Sequence, residues 1–173
     1  MNTIPMSDTL LSIAGIELLI PWYANALVFS GMIGLLVGVE REFRGKPASL
    51  RTFAAISVGS CLFTVLSVEA AGASQSGPYD LTRVAAQNFS GIGFIGGGVI
   101  FKTSDRIEGI TTAALIWLTA GMGMACGFNR PMIALWAIGL GSIMHCMIYI
   151  IYRLLYFSKD RERRIAMEES SNA

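Results

Sequence analysis

Five apolar runs alternate with short polar clusters along the chain, each near the roughly 20 residues that a transmembrane helix needs. The first starts at residue 17 or 22 and ends at 39, and Pro21 and Trp22 suit its outer boundary because Trp favours the membrane–water interface. The second covers 50 or 53 to 70, the third 83–101, the fourth 109–127 and the fifth 132–152. Residues 1–16 are mixed in character and are expected to hold a short interfacial turn or helix. The polar tail, 153–173, carries Lys159, Arg161, Arg163 and Arg164 and reads as an exposed or membrane-surface helix. The pattern predicts an all-α integral membrane bundle of five transmembrane helices over 1–152, followed by a short charged tail.

Small residues fall at helical spacing inside these runs. Ser30, Gly34 and Gly38 recur every four residues, and Gly123 and Gly127 repeat the spacing; such seams let membrane helices approach closely. The third run is the richest, with Gly91, Gly93, Gly96, Gly97 and Gly98 following Gln87, Asn88 and Ser90. Its Gly91-x-Gly93-x-x-Gly96 spacing matches a dinucleotide-binding fingerprint in form only. That motif requires a preceding strand, whereas these glycines sit within an apolar run.

Composition and charge fix the class and the orientation. The 173 residues are 53% hydrophobic and 14% charged, with mean hydropathy +0.57, against about 25% charged in an average soluble domain. Eleven of the thirteen basic residues fall after the first run (Arg41, Arg44, Lys46, Arg51), after the third (Lys102, Arg106) or in the tail. The positive-inside rule then places the N-terminus outside and the C-terminus in the cytoplasm. The N-terminus lacks the basic stretch that a cleavable signal needs. Cys61, Cys126 and Cys146 lie in apolar runs with no CxxC spacing and read as small buried residues.

Four features are candidates for chemistry, each with a plainer alternative. The loop over residues 40–51, with Gly45 and Pro47 forcing a turn, is a docking site or ion collar, or it serves topology alone. Gln87, Asn88, Thr111 and Thr112 line a polar site between the third and fourth runs, or they bond helix to helix. Arg83 pairs with Asp80 at helical spacing or caps a cavity. The triple glycine breaks the third helix near the midplane, as in transporter sites, or it serves close packing within the chain or across a dimer. His145 is the single histidine and has no ligand-spaced partner on its helix. No carboxylate lies mid-span, and no nucleophile–base pair or metal cluster is visible. Enzymatic activity, a metal site, a cofactor and a nucleic-acid partner are not expected.

Three blocks together resemble the MgtC/SapB family of bacterial inner-membrane proteins. They are Gly34-Leu35-Leu36-Val37-Gly38-Val39-Glu40-Arg41-Glu42 through Leu50-Arg51-Thr52; Asp80-Leu81-Thr82-Arg83 through Gln87 and the glycines to Ile100; and Gly109-Ile110-Thr111-Thr112-Ala113-Ala114 up to Trp117. Ser49, Phe53 and Ile110 depart from the family pattern, which usually has Gly, His and Leu there. The resemblance implies the short branch lacking a C-terminal ACT-like domain. It also implies links to growth in low magnesium and to acid or intramacrophage stress, and regulation through membrane partners, including the ATP synthase in longer members. On this resemblance the loop residues Glu40, Arg41, Glu42, Lys46, Arg51 and Thr52 are candidates for partner docking. Arg83, Gln87, Asn88, Gly93, Gly96, Gly97, Thr111, Thr112 and Trp117 form a candidate polar, glycine-rich seam. The leading expectation is a non-enzymatic regulator in the lipid bilayer, homodimeric and bound to another inner-membrane protein. The alternative is a small Mg2+ or solute transporter with its site at the third run.

Overall fold

The computed structural model describes residues 9–13, 16–73 and 80–171, with side-chain surroundings given over most of 21–153. Five helices dominate: α1 (Trp22–Phe43), α2 (Leu50–Ala73), α3 (Leu81–Gly98), α4 (Ile110–Gly127) and α5 (Pro131–Ser171). Four of them contain stretches long and apolar enough to cross a membrane: Trp22–Phe43, Leu50–Gly72, Ile110–Gly127 and Pro131–Arg153. The chain is thus an all-α membrane bundle. The helix that falls short on composition is α3, whose first half carries Arg83, Gln87 and Asn88.

Within the N-terminal segment, the described residues 9–13 and 16 depart from expectation. Strands β1 (Thr9–Ile13) and β2 (Ile16–Ile20) pair antiparallel, with Leu10 opposite Leu19 and Leu11 opposite Leu18. A hairpin stands where a turn or helix was expected, each strand carrying β-branched residues at both its ends, Thr9 and Ile13 in β1 and Ile16 and Ile20 in β2, a residue class that favours strands. Pro21, extended at φ −61°, then starts α1 at Trp22, the later of the two expected starts. Residues 74–79, in the segment between the second and third runs, and the side chain of His145 lie outside the described residues.

Helix ends follow local chemistry. After α1, Gly45 adopts φ +60°, its amide donates to the Glu42 carbonyl at 3.0 Å, and the Lys46 amide donates to the Arg41 carbonyl at 3.1 Å. This is a Schellman stop, and Pro47 follows it. The end of α4 repeats the device with Asn129 at φ 55°, Asn129 donating to Cys126 and Arg130 to Ala125, both at 2.8 Å. The three glycines 96–98 end α3 rather than break it midway: the helix continues to Gly98, and Val99 and Ile100 donate back to Gly96 and Gly97 at 3.3 and 3.2 Å. A small hairpin, β3 (Phe101–Lys102) with β4 (Ile107–Glu108), then leads to α4.

The chain forms two compact units, Met1–Trp136 and Ala137–Ala173. In the first, α2 lies between α1 and α4, with α3 against α2 and α4. Glycines close both contacts of α2. A Cβ on Gly34 would stand 2.6 Å from the Phe53 carbonyl oxygen, and one on Gly38 2.6 Å from the Leu50 Cα. From the other side, a Cβ on Gly123 would overlap the Ser57 carbonyl, and one on Gly127 would stand 2.6 Å from the Thr64 Cβ. The core is completed by Phe53, Ile56, Ile92, Ile116 and Ala120. Hydroxyls pair inside it, Ser30 Oγ lying 3.2 Å from Ser57 Oγ, while Thr64 and Thr119 donate to the carbonyls of Ser60 and Leu115 at 2.8 and 2.7 Å. The second unit is the remainder of α5, on which Leu140, Ile143, Met144, Met147 and Ile148 are exposed, as a lipid-facing helix requires. The helix continues through Tyr152 into the charged tail without interruption.

Candidate functional site

Two places in the first unit carry the sequence candidates. The first is the end of the bundle where the basic loops meet. Glu40, Arg41 and Glu42 are still helical, in the last turn of α1. Arg41 points inward: it is 3% exposed, and its Nη2 donates to Thr112 Oγ1 of α4 at 2.8 Å across 71 residues of sequence. Its Nε is enclosed and has no hydrogen-bond partner. Glu40 is engaged by Arg44, Nε to Oε1 at 2.5 Å. Glu42, Lys46 and Arg51 are exposed and Thr52 is half-buried. The expected loop site therefore divides into an outward set, Glu42, Lys46 and Arg51, and one buried cation that ties α1 to α4.

This contact also settles the path of the chain within the unit. The Arg41–Thr112 bond, the approach of Gly38 to Leu50 and the position of Gly96, where a Cβ would stand 3.7 Å from Ala113, bring the end of α1, the start of α2, the end of α3 and the start of α4 together. At the opposite end Trp22 Nε1 donates to Glu69 Oε1 at 3.2 Å. So α3 traverses the bundle beside its apolar neighbours. At 1.5 Å per residue, its 18 residues extend about 27 Å, close to the roughly 30 Å hydrocarbon thickness.

The second place is α3. Gln87 and Asn88 line a groove of about 420 Å³ with Val84, Gly91, Ile92, Ile95 and, from α2, Phe63. Inside it the Asn88 Nδ2 is enclosed without a hydrogen-bond partner. Thr111 and Thr112 are not part of this groove: Thr112 is held by Arg41 and Thr111 is exposed. Gly96 lies level with Ala113, so Gln87 sits about nine residues, or about 13 Å, further along α3. The expected four-residue polar site is thus two separate pairs. Arg83 is exposed, its amide donating to the Asp80 carbonyl at 3.3 Å. Trp117 is 53% exposed and stacks on Phe89 with centroids 5.1 Å apart.

The glycines of α3 differ from those of α1 and α4. Of the sequence candidates only Gly96 is packed within the chain; a Cβ on Gly93 or Gly97, or on Gly91 or Gly98, would meet nothing within 4 Å. No grouping of three His, Cys, Asp or Glu able to hold a metal ion occurs among the described residues. Sequence reasoning missed the inward turn of Arg41. The available signal was a basic residue directly after an apolar run that the helical pattern places on the face of Gly34 and Gly38.

Comparison with known proteins agrees with the arrangement of motifs. The MgtC family model matches residues 27–154. An uncharacterized protein of Haemophilus influenzae is 44% identical over 113 residues, 60% of this chain and 48% of that protein. Protein SapB of Bacillus subtilis is 41% identical over 121 residues, 64% of this chain and 51% of that protein. Protein MgtC of Salmonella typhimurium is 38% identical over 113 residues, 65% of this chain and 46% of that protein. The chain spans about half the length of the curated relatives it matches. No solved structure matches. With the family pattern covering α1 to α5, the chain belongs to the MgtC family and is a multi-pass protein of the bacterial inner membrane.

Proposed function

We propose that this protein acts without enzymatic chemistry of its own, in magnesium or ion homeostasis and stress tolerance, by binding another inner-membrane protein as a homodimer. One observation carries the reading: Gly93 and Gly97, four residues apart on one face of α3, have nothing within 4 Å of where a Cβ would stand. Each interior glycine costs a helix about 1 kcal/mol relative to alanine, a cost that close approach of another helix offsets. The outward residues Glu42, Lys46 and Arg51 flank this surface at its basic end and add charge-based selection. The transporter reading is the weaker one, because Gln87 and Asn88 lie apart from Thr111 and Thr112.

The test is cross-linking and affinity capture of the full chain in membranes. Gly97→Leu and Arg51→Glu should each lose the captured partner while the protein stays folded and inserted. Retention of partner and stress tolerance in both variants would sink the reading. Saturable Mg2+ entry into proteoliposomes, abolished by Gln87→Leu, would replace it with transport.

A further inference from the structure

The groove beside α3 holds a donor with nothing to donate to. Asn88 lines it, and the Nδ2 of that side chain is enclosed with no hydrogen-bond partner. An unmade bond in such surroundings is costly, and the few polar groups of an apolar pocket ordinarily orient a ligand. The other walls are apolar, with Phe63 from α2 and Val84, Ile92 and Ile95 from α3. Gly91 leaves room among them, since a Cβ there would meet nothing within 4 Å. No charged side chain is among those that line the groove, so an ionised group is not what fills it.

The order of chemistry along α3 narrows the occupant. Arg83 is exposed and precedes Gln87 and Asn88 by about one helical turn, some 6 to 8 Å along the axis. Beyond Asn88, Gly91, Ile92 and Ile95 carry the groove about 10 Å further. A glycerophospholipid presents matching groups in the same order. Its phosphate suits a guanidinium, its ester carbonyl is an acceptor for an amide N–H, and its acyl chain suits apolar walls. The position agrees as well. The Arg83 end of α3 lies away from the basic loops, at the end of the bundle where Trp22 donates to Glu69, and Trp favours the membrane interface. The groove therefore starts near a membrane boundary and runs inward from it.

We propose that the groove between α2 and α3 binds one phospholipid of the leaflet away from the basic loops. Its phosphate lies at Arg83, an ester carbonyl accepts from Asn88, and an acyl chain follows Gly91 to Ile95. The site is independent of the partner reading above, which rests on Gly93 and Gly97. Gly91 and Gly93 point about 160° apart around the helix, so the two faces are different sides of α3.

The test is native mass spectrometry of the full chain, purified in non-ionic detergent and titrated with phosphatidylglycerol, an anionic lipid whose headgroup suits Arg83. One lipid per chain is expected to bind the wild type saturably. Gly91→Leu fills the groove and should abolish this binding. Asn88→Leu should weaken it about tenfold, the loss of one hydrogen bond. The diether analogue keeps the headgroup and chains but has no ester carbonyls. It should bind wild type about tenfold more weakly than the diester, and Asn88→Leu should not distinguish the two. That comparison on wild type carries the test should the variants fail to fold. Gly97→Leu should keep the lipid whether or not it keeps the protein partner, which separates this site from the partner face. Equal binding of diester and diether by wild type, or of the diester by wild type and Gly91→Leu, would overturn the site. Loss of the captured protein partner in Gly91→Leu, with lipid binding unchanged, would give the groove to a partner helix instead.

Discussion

The glycines of α1 and α4 and the glycines of α3 have opposite surroundings. Gly34, Gly38, Gly123 and Gly127 each face backbone or Cβ atoms of α2 too close for any side chain, whereas Gly91, Gly93, Gly97 and Gly98 face nothing within 4 Å. The first set is consumed by the fold; the second is left to whatever lies beside the protein. Small-residue spacing alone does not separate these roles. The residue opposite does: each glycine of the first set meets α2 or the residue before it (Ala54 and Ser57 at Gly34, Leu50 and Ser49 at Gly38, Ser57 at Gly123, Cys61 and Thr64 at Gly127), and a Cβ on any of the second set meets nothing.

The sharpest way to break this contrast is to ask whether α3 crosses the membrane with α1, α2 and α4. Asp80→Cys and Ser104→Cys, in a background with Cys146→Ser, should label from opposite sides with a membrane-impermeant thiol reagent; labelling from one side would detach α3 from the bundle. Next in size, Gly34→Ala and Gly123→Ala are expected to destabilise the protein by about 3 kcal/mol each, the upper range for overpacking, read by unfolding in detergent. Thr112→Val should cost about 2 kcal/mol in the same assay, because it strips the buried Arg41 of its bond. Gly93→Ala and Gly97→Ala should have the opposite sign in the monomer, a gain of up to about 1 kcal/mol from helix propensity. The same two changes should lower dimer cross-linking. Destabilisation of the monomer by either would remove the distinction between the two sets.

Much of the architecture was legible because it depends on apolar length. The runs predicted α1, α2, α4 and the apolar stretch of α5 (Pro131–Arg153) within a few residues, and the Ser30-Gly34-Gly38 and Gly123-Gly127 spacings marked the faces that meet α2. What stayed hidden depends on partners distant in sequence. Glu40, Arg41 and Glu42 read as one charged loop, yet they continue α1, and Arg41 alone turns inward to a hydroxyl 71 residues away. Gln87, Asn88, Thr111 and Thr112 read as one polar site because they fall in two consecutive apolar runs, the third and the fourth. The length of α3 separates them. The hairpin over Thr9–Ile13 and Ile16–Ile20 was missed because the segment is short, and short apolar runs do not distinguish a helix from a strand.

Ser57 is approached from both flanks, by Gly34 on α1 and Gly123 on α4, and its hydroxyl also meets Ser30. A helix clamped on two sides at one residue has no room to slide or rotate without forcing backbone atoms together, and packed cores switch between discrete arrangements rather than deform continuously. The three helices α1, α2 and α4 are therefore one mechanical body. Any motion within residues 1–136 that carries a signal falls to α3, whose contacts at Gly96–Ala113 and Phe89–Trp117 are ordinary van der Waals and ring contacts. In that division of labour the clamp acts as the stator, and the helix with the bare glycines is the part free to tilt.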